Sequence, residues 1–160
     1  MKNPIRNAHR PGPPVFRRAR RLDSTPIARL LADDLLGADR ERPNEARPYL
    51  AAFDRIDADP AQLLAVAEVR GRVVGCLQLT FIPGMSSQGA KFALLQAVRV
   101  AADVRGQGVG RAFIAWAMDE ARNRGCSSIE LLTHQTRADA QRFYESLGFT
   151  PSHIGMKRAL

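Results

Sequence analysis

The sequence predicts a layered α/β protein built around one sheet. Apolar spacing switches between strand and helix periods along the chain, and in the second half helices fall between strands. The length of 160 residues suits a single core of ordinary size. Residues 15–21 (VFRRARR) read as a first strand, with Val15 and Ala19 on one face and long arginine stems across the other. Ser24 or Thr25 then caps a helix whose first turn carries Pro26, where N–H groups lack partners anyway. Its apolar stripe is Ile27, Leu30, Leu31 and Leu35, and Gly37 ends it. Residues 38–48 are polar, contain two prolines and read as a loop. A short helix over about 46–56 follows and stops at 57–60.

Two strands, 63–69 and 73–81, are joined through Arg70, Gly71 and Arg72 as a hairpin. Residues 83–89 (PGMSSQG) are a loop, and 91–101 (KFALLQAVRVA) form a mostly apolar strand, as the middle of a sheet requires. A glycine turn leads into a helix over about 108–124, with Val109, Ala112, Phe113, Trp116, Ala117 and Ala121 inward and Gly125 closing it. Residues 128–133 give a further strand, 139–147 a short helix ended by Gly148, and 149–157 a last extended stretch.

Composition bounds the function. With 45% apolar and 25% charged residues the chain has the balance of a soluble globular protein. Its longest apolar run, residues 112–118, is far short of the roughly 20 residues that cross a bilayer. The first fourteen residues (MKNPIRNAHRPGPP) lack the apolar segment of a secretory signal, so a cytoplasmic protein without a membrane partner is expected. Cys76 and Cys126 stand far apart with no CxxC and no clustered histidine, which indicates neither a disulfide framework nor a metal site; both read as small buried side chains. Of the net charge of +8, seven units come from Lys2, Arg6, Arg10, Arg17, Arg18, Arg20 and Arg21, with no acidic residue among the first 21. Residues 1–14 therefore read as a flexible basic, Pro-rich tail ahead of one domain at 15–160, and no nucleic-acid partner is expected. The positive field would speed encounter with an anionic ligand.

The segment RGQGVG, Arg105, Gly106, Gln107, Gly108, Val109 and Gly110, sits between a buried strand and an amphipathic helix. Glycine there lets the backbone approach a ligand closely, and the N–H groups from Gln107 to Arg111 converge at a helix N-terminus that favours phosphate. The dinucleotide pattern GxGxxG fails, because the third glycine comes one place early, and the Walker pattern fails for want of a Lys-Ser or Lys-Thr. The spacing that fits is RxxGxG, a string that a purely structural turn can also carry.

Together with the strand step Val98, Arg99, Val100, this segment resembles motif A of the GNAT acetyltransferases, and AQRFYESLGF downstream resembles their motif B. The ending resembles small-molecule amine acetyltransferases, including the aminoalkylphosphonate type. The resemblance implies a mixed, mostly antiparallel sheet of six to seven strands with about four helices, splayed at the strand before the glycine turn. It also implies acetyl-CoA as co-substrate and transfer to a primary amine of a small molecule by direct attack in a ternary complex. A homodimer is in keeping with relatives.

Carried over by position, the backbone N–H of Val100 meets the thioester carbonyl and Val98 helps hold the pantetheine arm; both are also core valines. The turn residues and Arg111 take the pyrophosphate, and Phe143 lies beside them. Tyr144 is the catalytic side chain, a phenol protonated at neutral pH that donates to the departing thiolate; its plainer role is a core aromatic. Two positions depart from the family. Arg137 replaces a common asparagine and either holds a coenzyme phosphate or an acidic substrate, or forms a surface ion pair. Gln96 and Ala97 stand where many relatives carry a glutamate, which leaves the general base unassigned among Glu130, Glu68, His134 and ordered water. Arg40, Arg42, Arg47 and Arg99 are compatible with an anionic acceptor or with a solvated surface, and the segments 36–48 and 83–90 would choose the acceptor. Competing readings are a non-catalytic acyl-CoA sensor, suggested by the missing carboxylate, an acetyltransferase acting on a protein amine, and a nucleic-acid binder using the basic tail, which lacks a reading module.

Overall fold

Arg70 and Gly71 both adopt left-handed backbone angles, φ 51° and 76°, and so form the two-residue turn that folds β2 (Gln62–Val69) onto β3 (Arg72–Pro83). In the computed structural model, which describes residues 12–33 and 39–159, this hairpin is central to a five-stranded sheet. Its order is β1 (Val15–Arg18), β2, β3, β4 (Lys91–Val100) and β5 (Cys126–Leu131). The first four strands are antiparallel. β5 runs parallel to β4 because the connection crosses over through α4 (Val109–Asn123).

Alternation along the strands divides the sheet's faces. Register places Leu63, Leu79 and Leu95 side by side, all buried. On the same face Phe16 of β1 stacks on Phe113 of α4 at 5.1 Å, so α4 covers this side. On the other face Leu64 lies beside Phe53 and Ile56 of α2 (Ala46–Ala58), and α1 (Ser24–Ala32) packs over β3 and β4. Phe113, Leu77, Leu79, Leu95 and Ile114 are fully buried, each side chain contributing about 1.5–3 kcal/mol. α5 (Ala138–Glu145) follows β5.

The structure departs from expectation in several places. Five strands form among the described residues, not six or seven, because residues 150–159 stay exposed and irregular. Their two large apolar side chains, Ile154 and Met156, are 93% and 95% exposed. Burying both would return about 3–6 kcal/mol, less than the roughly 1–2 kcal/mol per residue that ordering such a stretch costs. The loop at 83–89 contains a single distorted turn, α3 (Ser86–Gly89), with Ser87 and Gln88 at positive φ. Neither Ser24 nor Thr25 caps α1: its N-cap is Asp23, and the Ser24 hydroxyl donates to the Arg21 carbonyl at 2.7 Å. Ile114 is buried although the predicted stripe omitted it, and Cys126 is only half-buried. Leu35, Gly37 and most of the basic tail lie outside the described residues.

Arg17 and Asp23 tie β1 to the turn that precedes α1. The Asp23 carboxylate, 1% exposed, accepts both Arg17 terminal nitrogens at 2.7 and 3.1 Å and the Arg20 N–H at 2.7 Å. The Arg17 Nε also donates to Glu68 at 2.9 Å. Burial opposes ionisation of Asp23, but these donors outweigh it and hold its carboxyl below the usual range. Its contribution to stability is therefore complete above the unfolded carboxyl's pKa of about 3.9 and is lost as pH falls through the lower folded value. Asp23→Asn removes one of the two carboxylates that hold Arg17, leaving it to Glu68, and is expected to cost about 2 kcal/mol in urea unfolding at pH 7. The difference from wild type should shrink towards pH 3.

Candidate active site

β4 keeps β5 as a neighbour only as far as Leu95, opposite Leu131. Beyond that point its register against β3 shifts: Gln78 pairs with Gln96 and Cys76 with Arg99, so Leu77 faces both Ala97 and Val98. Ala97 absorbs the extra residue at φ 54°, a left-handed angle that costs a non-glycine residue roughly 1–2 kcal/mol. The Cys76 thiol contacts the Ala97 carbonyl at 3.5 Å, and burial pushes that thiol up to about 12, so it stays a protonated donor. The bulge opens a cleft of about 80 Å³ between the strands. Leu95 to Arg99 line one wall; Leu131, Leu132, Thr133, Arg137, Ala140 and Tyr144 line the other.

β4 leads from this cleft into the glycine turn. Gly106 and Gly108 sit at φ 74° and 85°, which turns the chain sharply into α4. Ala112 makes the first helical bond, to the Gly108 carbonyl at 3.0 Å. The N–H groups of Val109, Gly110 and Arg111 consequently lack intrahelical partners, and no side chain caps them. A side chain at Gly110 would begin 3.5 Å from Phe143 and 3.6 Å from Val100, so α4 starts in close packing with both. An anion fits this backbone cradle, where the helix dipole adds positive character.

Three side chains expected to touch a cofactor brace the turn. Arg105 donates to the Val100 carbonyl at 2.8 Å, Gln107 to the Asp103 carbonyl at 3.0 Å, and Arg111 to the Ser146 hydroxyl at 2.9 Å. Arg99 donates to the Val98 carbonyl at 2.8 Å. The carbonyls of Val98 and Val100 are thus both engaged by guanidinium groups, and the strand end carries positive charge. Arg137 is the N-cap residue of α5 and lines the cleft. Tyr144 is held between Phe143 and Phe149, with ring centroids 5.3 and 5.7 Å away. Burial raises its phenol pKa above the ordinary 10, against the opposing fields of Arg137 and Arg99. The hydroxyl is a proton donor throughout the neutral range.

Every residue expected around the cofactor is therefore gathered at β4, the turn or the α4–α5 contact. The suggested bases are not. Glu68 is bound to Arg17, His134 is exposed with its Nδ1 2.8 Å from the Thr136 hydroxyl, and Glu130 is exposed on β5 opposite Leu94. Sequence reasoning did not anticipate Leu132, Thr133 or the Ala97 bulge, and alanine carries no signal for a left-handed angle. Among the described residues no three His, Cys, Asp or Glu side chains gather where they could hold a metal ion, and no helix is long and apolar enough to cross a membrane.

The splayed strand thus joins a cleft lined by a half-buried phenol to an uncapped helix N-terminus. Comparison with known proteins gives the family. The model of the acetyltransferase (GNAT) family matches residues 27–149. The chain is 30% identical over 143 residues to the Uncharacterized N-acetyltransferase YjgM of Escherichia coli (strain K12), covering 87% of this chain and 83% of that one. It is 41% identical over 66 residues to the Aminoalkylphosphonate N-acetyltransferase of Salmonella typhimurium, which spans 41% of this chain and 43% of that protein. A solved structure described as a transcriptional regulator from Bacillus halodurans C-125 superposes with a TM-score of 0.89 at 40% identity, covering 92% and 99% of the two chains. The chain belongs to the acetyltransferase (GNAT) family. It is an acetyl-CoA-dependent N-acetyltransferase.

Proposed function

We propose that this enzyme acetylates the primary amine of a small molecule by direct attack within a ternary complex. The observation that carries this reading is the cleft where β4 leaves β5, flanked by the uncapped start of α4 and by Tyr144. Acetyl-CoA supplies the acetyl thioester, and the residues present suit it. The N–H groups of Val109, Gly110 and Arg111 hold its pyrophosphate, and the edge of β4 at Val98 holds the pantetheine arm. The Val100 N–H polarises the thioester carbonyl. As the amine nitrogen bonds to the carbonyl carbon and the C–S bond breaks, the Tyr144 hydroxyl gives its proton to the departing sulfur. The amine's surplus proton leaves to solvent, since no carboxylate is placed at Gln96 or Ala97.

An acceptor that also carries an anionic group suits this cleft. Arg99 and Arg137 line it, and the Salmonella typhimurium relative is named for aminoalkylphosphonates. The sensor reading draws less support because both relatives are named as N-acetyltransferases, and the protein-amine reading less because the Salmonella typhimurium relative is named for a small molecule. The test is thiol release from acetyl-CoA against a panel of amines bearing phosphonate, carboxylate, hydroxyl or no second group. An efficient small anionic amine is expected. Coenzyme A that fails to bind at millimolar concentration in calorimetry overturns the reading.

A further inference from the structure

Four uncharged polar side chains cross the sheet on the face away from α4. Register pairs Gln62 with Thr80 and Gln78 with Gln96, so β2, β3 and β4 each add to one stripe. The stripe ends at the cleft, which Gln96 lines. Two hydrogen bonds converge on the Gln62 Oε1, from the Thr80 hydroxyl at 2.8 Å and from the Gln78 Nε2 at 3.0 Å. They fix the orientation of the Gln78 amide: its nitrogen is committed to Gln62, and its Oε1 remains as an acceptor. Among the described residues nothing donates to that oxygen, and the Gln96 amide makes no hydrogen bond. The Gln78 side chain is half-buried and that of Gln96 is exposed, so both keep acceptor capacity that a ligand reaching this part of the sheet can use.

The cofactor cradle lies at the start of α4, on the opposite side of the sheet. Two substrates that meet at one carbonyl approach it from different sides, so the acceptor arrives from the amide face. Resting on the acetyltransferase reading, we infer that Gln78 and Gln96 are the acceptor's binding floor, their Oε1 atoms accepting hydrogen bonds from the N–H groups of the incoming amine. Gln62 and Thr80 are positioning residues that hold Gln78 in the accepting orientation. Neutral amide oxygens suit the task. A carboxylate in their place would stabilise the ammonium form, which has no lone pair to attack with, whereas an amide oxygen orients the N–H groups and favours the charged form far less.

The experiment uses the full chain and the best amine of the panel. Gln78→Leu and Gln96→Leu are each expected to raise the acceptor KM about tenfold, the loss of one hydrogen bond, with the acetyl-CoA KM within about twofold. Gln62→Leu frees the Gln78 amide to rotate and should raise the acceptor KM about threefold. Gln78→Glu restores an acceptor oxygen and should recover most of the lost affinity while moving the activity profile towards higher pH, because the carboxylate holds the bound amine in its ammonium form. Gln96 is exposed, so its variant tests the inference even if Gln78→Leu fails to fold. Unchanged acceptor KM in folded Gln96→Leu overturns the inference, as do equal rises in both KM values, which would mark a role in the fold. Coenzyme A binding with no amine acetylated overturns the function reading itself, and the inference falls with it; a substrate with an indifferent stripe overturns the inference alone.

Discussion

Tyr144→Phe is expected to lower kcat about 100-fold while leaving the calorimetric Kd for coenzyme A within about twofold. The ring that packs between Phe143 and Phe149 is retained, so the fold and the cofactor's surroundings are preserved. In the proposed mechanism what is lost is the proton for the departing sulfur, and general acid catalysis contributes about 10² to 10⁴ in rate. The pH dependence gives an independent reading. The protonated phenol is the active form in the proposed mechanism, and burial lifts its pKa above 10, so this donor is lost, and an alkaline fall in kcat appears, only as pH rises through that raised value. Arg137 and Arg99 face the same hydroxyl and oppose the shift without cancelling it. The phenylalanine variant should lack this alkaline limb. Retention of more than a third of wild-type kcat would give the sulfur's proton to water and reduce Tyr144 to a packing residue.

The parts of this site that are legible in the sequence are those where backbone geometry restricts residue choice. Gly106 and Gly108 stand at left-handed angles that few other residues tolerate, so their spacing announces the turn. The hairpin at Arg70 and Gly71 is legible for the same reason. Ala97 is the counter-example. It holds a left-handed angle against its own preference, because the mismatch between β3 and β4 is imposed by long-range pairing. No local pattern encodes that. Apolar spacing in α4 points the stripe towards Ala112 and Trp116, whereas the buried line runs through Val109, Phe113, Ile114, Ala117 and Ala121. Trp116 stays at the flank, tilted against Phe16 and Phe113, because one large aromatic can pack from the rim of a helix. The place of Arg105, Gln107 and Arg111 in the turn suggests ligand contacts. Which oxygens they reach depends on residues as distant as Ser146, and only the folded chain supplies them.

Gly108→Val should raise the Kd for coenzyme A at least tenfold. Among the described residues, its chain neighbours aside, no atom lies within 4 Å of the position a Cβ would take there, so the cost does not arise from a clash. It arises from φ 85°, which a residue with a Cβ adopts at a penalty of roughly 1–2 kcal/mol, more when it is β-branched. The chain relieves that penalty by re-turning, which moves the N–H groups of Val109 and Gly110 off the anion. Gly110→Ala is the matched control. Gly110 is not at positive φ, and the added methyl meets Phe143 and Val100 at ordinary contact distance, so its Kd should change less than about threefold. Acetyl-pantetheine, which lacks the pyrophosphate, separates the two ways in which the turn can matter. Its KM should be indifferent to Gly108→Val if the turn acts through the phosphate cradle. An equal loss with both donors would mean that the turn acts by fixing the end of β4, and would move the binding energy from the helix N-terminus to the strand edge at Val98 and Val100.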